Sequence, residues 1–151
     1  MKPIVQRLFN PGAATPTTSL ALLLLRLWLG LTLLFNHGLA KLTNFSGMSD
    51  GFLDLFGIGS KPSLVLAIFG EFFCAALLAL GLVSRFAAFC LVLNMIVAFS
   101  MVHKLALSGP SSGELPFIYL AGFVTLLVAG PGRISADAFL FGKPAKSAKA
   151  G

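Results

Sequence analysis

Apolar residues run through this chain in long blocks, broken at a few positions by single charges. A first block from about Ser19 to Leu39 is long enough to cross a hydrocarbon core of about 30 Å at 1.5 Å per residue. A second runs from Pro62 to about Leu82, with Glu71 as its one charge, and Pro62 suits a first helical turn. A third spans Phe86 to about Val102, and a shorter fourth spans Leu115 to about Gly130, where "GPGR" stops it. Between the first two blocks, Phe45, Met48, Phe52, Leu55 and Phe56 recur at helical spacing, with Asp50 and Asp54 elsewhere on the wheel. This predicts a short amphipathic helix on the membrane surface or over the bundle. The expected fold is all-α: an integral membrane four-helix bundle, with that amphipathic helix between the first and second spans.

The charges inside the blocks sharpen the picture. Arg26 exposed to lipid would cost roughly 2.5–3.5 kcal/mol by insertion scales, so it should face inward. At 100° per residue His37 lies about 20° round the helix from Arg26, with Gly30 on the same stripe and Lys41 one turn beyond His37. Trp28 falls on the opposite face. In the second span Ser63, Ala67, Glu71, Cys74, Ala75 and Ala79 form a face of small residues around the acid, suited to close helix approach. Cys90, Asn94 and Ala98 align in the third span, and Glu114, Ala121 and Thr125 in the fourth. These stripes predict a polar interior holding Arg26, Glu71 and Asn94, with an Arg26–Glu71 ion pair organising it. His37, Lys41, His103 and Glu114 converge, on this reading, in an outward-facing pocket. A metal centre of His37, His103 and Glu114 has no local spacing motif, and none is expected.

Composition fits a lipid environment. Of 151 residues 57% are hydrophobic and only 11% charged, and mean hydropathy is +0.94. A soluble domain carries about a quarter charged residues. The net charge of +6 comes from scattered basic residues with no basic-aromatic platform, which excludes nucleic acid as the partner. Lys2, Arg7, Arg85, Arg133, Lys143, Lys146 and Lys149 fall on one side of the spans, and Lys41, Lys61 and Lys104 on the other. The richer side should be cytoplasmic. Residues 1–18 and 143–151 are then cytoplasmic tails flanking a transmembrane domain over 19–142, in the inner membrane. Cys74 and Cys90 lie in apolar runs and read as packing residues. No phosphate loop, paired CxxC, HExxH or nucleophile elbow occurs, and no haem, flavin or iron–sulfur motif.

"RLWLGLTLLFNHGLAKL", "FGEFFCAALLALGLVSRFAA" and "GELPFIYLAGFVTLLVAGPGRISAD" together resemble the first, second and last helices of DoxX-family membrane proteins, over about Leu20 to Phe141. Ile134 departs from the aromatic residue common after GPGR. The resemblance implies four helices in a prokaryotic cytoplasmic membrane, with Arg26, His37, Lys41, Glu71, His103 and Glu114 at polar positions like those of the family. It further implies an accessory or quinone-linked component of membrane redox metabolism. On that reading a quinone is the ligand, no cofactor is intrinsic, and membrane lipid and a redox partner protein are the partners. A non-enzymatic scaffold, chaperone or small-solute carrier fits the same residues; direct catalysis would at most be that of a subunit in an oxidoreductase complex.

Overall fold

The computed structural model describes residues 15–141. The two predicted tails therefore lie outside the described residues, apart from the overlap at 15–18. All regular structure among the described residues is helical. Helix α1 (Pro16–Thr43), α3 (Ser60–Leu80) and α4 (Ser84–Val102) are each long and apolar enough to cross a membrane, and α5 (Glu114–Ala129) is a shorter apolar helix. Two small helices complete the order: α2 (Phe45–Met48) after α1, and α6 (Ala136–Phe141) after α5.

The helix starts follow from local chemistry. α1 begins three residues earlier than the apolar block suggests, because Thr15 Oγ1 accepts from the Thr18 N–H at 3.2 Å and Pro16 sits at the first helical position. α3 ends in a left-handed Gly81 (φ 73°), whose N–H reaches Leu78 O at 3.0 Å while Leu82 N–H reaches Leu77 O at 2.9 Å. This double closure satisfies last-turn carbonyls. Only Gly81 to Val83 separates α3 from α4, so the two lie antiparallel and adjacent, as the tight turn predicts.

α3 packs on α1 along one side and on α4 along the other, and α4 shares its most extensive contact with α5. The α1–α5 contact that would complete the circuit is much thinner. The small-residue face of α3 is buried throughout: Ser63, Cys74 and Ala75 are fully inaccessible, and Ala67, Glu71 and Ala79 nearly so. Gly30 makes the α1–α3 approach close, since a Cβ there would stand 3.0 Å from Ala75 O and 3.1 Å from Ala79 Cβ. Trp28 is exposed, as its wheel position predicts.

Three predicted features need correction. The amphipathic helix is one turn, Phe45–Met48; beyond it the chain takes turns. Asp54 there accepts from the Gly59 N–H at 2.8 Å, and Ser63 Oγ accepts from the Leu55 N–H at 2.9 Å. These side chains offer the backbone partners that compete with a helix, and Phe56 adopts φ 57°. In α4 the buried face is Ala87, Ala88, Leu91 and Met95, with Cys90, Asn94 and Ala98 on its flank. In α5 the expected stripe of Glu114, Ala121 and Thr125 is exposed, and Tyr119, Phe123 and Leu126 are buried instead. Thr125 can face outward because its hydroxyl donates to Ala121 O at 2.8 Å, within its own helix.

Candidate functional site

The predicted Arg26–Glu71 ion pair is not made. Gly38, not Arg26, is the α1 residue that faces Glu71: a Cβ on Gly38 would collide with the Glu71 carbonyl. Arg26 is twelve residues earlier in the helix, about 18 Å away at 1.5 Å per residue, beyond the reach of an arginine stem. The charges go to two separate places.

At one place Lys41 of α1 forms a salt bridge with Glu71 Oε2 of α3. Both groups are mostly buried, with side-chain exposures of 18% and 9%. The pair sits beside two π turns that touch each other, Leu34–Gly38 in α1 and Phe69–Cys74 in α3. In each turn an N–H reaches five residues back, Leu39 to Leu34 O and Ala75 to Gly70 O. Such turns insert an extra residue into a helix and are frequent at functional sites. A third occupies the end of α4, Ala98–Val102.

Around the pair stand the other polar groups. His37, on the α1 π turn, meets the buried Tyr119 ring edge-on, centroids 6.4 Å apart, and Tyr119 stacks on Phe123 at 5.7 Å. Asn94 packs on Gly70, the residue before Glu71, where a Cβ would stand 2.5 Å from its Nδ2. Asn94 Nδ2 is inaccessible and donates to nothing. A buried donor without an acceptor is uncommon in folded proteins. Tyr119 was not singled out from the sequence; it is the chain's one tyrosine, and a lone phenol inside an apolar helix was the available signal.

At the second place Arg26, fully buried, holds the end of the molecule. Its Nη1 donates to Leu78 O at 3.4 Å and Nη2 to Ile134 O at 2.5 Å. Leu78 lies in the last turn of α3, where the helix dipole favours a cation. Asp137 of α6 is the acid whose charge acts on Arg26, but its oxygens are engaged elsewhere. Oδ1 accepts from Val83 N–H at 2.7 Å and Oδ2 from Ser84 N–H at 2.9 Å, capping α4. The Asp137 N–H donates to Gly81 O at 2.8 Å. The segment from Gly130 to Asp137 thus closes one end, with Arg133 N–H donating to Ser19 Oγ at 3.2 Å, and beside it Arg85 Nη1 of α4 donates to Leu127 O of α5 at 3.0 Å. Asp137 carries this closure and was legible only as part of the quoted "GPGRISAD".

The residues expected in the outer pocket have other partners or face outward. Lys41 is committed to Glu71, His103 Nδ1 is 3.0 Å from Ser111 O in its own loop, and Glu114 is exposed at the start of α5. No group of three or more His, Cys, Asp or Glu side chains could hold a metal among the described residues. The surface has a hollow of about 360 Å³ near Asp50 and Lys61 and one of about 300 Å³ along Leu24, Trp28 and Leu31, neither at these sites.

A DoxX family model matches residues 21–104, more than half of the chain, from the first turns of α1 to the end of α4. The chain belongs to the DoxX family. It is a multi-pass membrane protein of that family, with the Lys41–Glu71 pair and the Arg26 closure contact at Leu78 inside the matched region and Asp137 beyond it. No curated protein and no solved structure matches it significantly.

Proposed function

We propose that this DoxX protein is an inner-membrane four-helix bundle with both termini cytoplasmic, serving as an accessory, quinone-linked component of membrane redox metabolism. The observation that carries the reading is the Lys41–Glu71 pair set between facing π turns, with the orphaned Asn94 amide beside Gly70. A quinone has two carbonyl oxygens that need donors and a ring that packs on apolar and aromatic side chains. Asn94 Nδ2, His37 and Lys41 are donors of the right kind, and Tyr119 and Phe123 are ring surfaces. The donor set therefore fits. When bound, the quinone would supply two-electron chemistry; this chain's residues would orient it, and Glu71 and Lys41 would hold protons at its edge. Electrons would come from a partner protein, since the sequence has no motif for a redox centre of its own.

A second reading has its own support. Nearly every buried charge is already bound within the chain, Lys41 to Glu71, Arg26 to carbonyls, Asp137 to the start of α4, as in a scaffold without turnover.

Mass spectrometry of lipids extracted from the natively purified protein separates the two. The quinone reading expects near-stoichiometric quinone, retained by the wild type and reduced at least about tenfold in Asn94→Leu, the equivalent of one buried hydrogen bond to a ligand. Quinone at the level of the surrounding membrane in both proteins would leave the scaffold.

A further inference from the structure

The Arg26 end of the molecule carries an apolar edge that the described residues leave exposed. In α6, Asp137 points into the body of the protein, where it caps α4. Phe139 lies about 160° round from it at 100° per residue and Leu140 about 60° on its flank, and they are 89% and 57% exposed. Neighbouring Ile134 is also exposed. The hydrogen bond from Asp137 N–H to Gly81 O fixes α6 at the level where α3 ends and α4 begins. Leu80 and Phe86, on the apolar outer faces of those helices, are exposed at that same level.

Charge says what covers this edge. The chain has five acidic residues. Asp50, Asp54 and Glu114 are at the opposite end, Glu71 is inside, and Asp137 is buried. No exposed acid remains at the Arg26 end among the described residues, while Arg133 is exposed there and the sequence continues from α6 with Lys143, Lys146 and Lys149.

We propose that α6 is an interfacial anchor: Phe139 and Leu140 sink into the boundary between headgroups and acyl chains, and Arg133 binds anionic phospholipid. Apolar side chains beside a basic segment are the chemistry of such anchors. An apolar rim at the ends of membrane helices, backed by positive charge alone, suits a lipid surface; a cytosolic protein would need to cover the phenylalanine without acyl chains.

The chain's one tryptophan, Trp28, lets the test be clean. Phe139→Trp in a Trp28→Phe background is placed in nanodiscs containing phosphatidylglycerol and phosphatidylcholine brominated near the carbonyl end. The proposal expects blue-shifted emission quenched by the bromolipid. Emission of a water-exposed indole, or shielded emission without quenching, would overturn it; the latter would mean that protein covers the edge. Native mass spectrometry then compares retained lipids in the wild type and Arg133→Gln. Preference for phosphatidylglycerol over phosphatidylcholine should fall about fivefold, the worth of a single basic residue near an anionic surface. Unchanged preference would overturn the anionic-lipid assignment.

Discussion

Lys41 and Glu71 are each other's only salt-bridge partner among the described residues, and their burial makes the pairing obligatory. Removing one partner strands the other charge away from water, at a cost near the low end of the 3–5 kcal/mol seen for buried pairs. Lys41→Met should therefore destabilise the protein by about 3 kcal/mol in a detergent unfolding titration, and adding Glu71→Gln should recover most of that loss. Equal stability of Lys41→Met and wild type would place the pair in contact with water. By contrast Lys61 and Asp50, 3.3 Å apart but 66% and 84% exposed, should matter little to stability. The sequence made Arg26 and Glu71 conspicuous as charges in apolar blocks, and their inward placement was legible from the cost of lipid exposure, whereas Lys41 read as part of an outward-facing pocket. Their partners were not legible, because pairing depends on how far one helix slides along another.

The first two helices were readable because a run of eighteen or more largely apolar residues has few alternatives to a membrane span; the third and fourth blocks, slightly shorter, were readable from their turn-rich boundaries. The small-residue face of α3 was readable too, since its six members fall on one side of an undistorted wheel. What failed was the assignment of faces on α4 and α5: in α4 the small residues turned inward are Ala87 and Ala88, beside Leu91 and Met95, and in α5 the aromatic packing of Tyr119 and Phe123 outweighed the small-residue rule. In α1 the π turn Leu34–Gly38 shifts the residues that follow it, Lys41 among them, round the helix, and a 3.6-residue period carries no trace of it. Register was set by a glycine, with Gly38 lying flat against the Glu71 carbonyl. Gly38→Ala should push α1 off α3 and cost about 1–3 kcal/mol as overpacking. Gly51→Ala, in open space, should be neutral. Thermal melts of the two purified variants in one detergent make the comparison, and equal melting temperatures would remove Gly38 from this role.

Across the whole molecule the two ends are built differently. One end is closed by the segment Gly130–Asp137, which ties α1, α3, α4 and α6 together through Arg26 and Asp137. Asp137→Ala should free the Val83 and Ser84 amides, costing up to about 2 kcal/mol as a lost helix cap, and hydrogen exchange by mass spectrometry should show faster exchange of peptides covering 82–86. Unchanged exchange there would mean that the cap is dispensable. The opposite end rests on loops with an exposed ion pair and non-glycine residues at positive φ, Phe56, Lys104 and Leu105. Between the ends, the slender α1–α5 contact, where Leu29 fills the space over Gly122 and His37 meets Tyr119, is the seam that yields with least loss. With α3 and α4 clamped to their neighbours, the quinone proposed above would arrive sideways from the bilayer by parting this seam, passing the imidazole and the phenol on its way to the buried carboxylate.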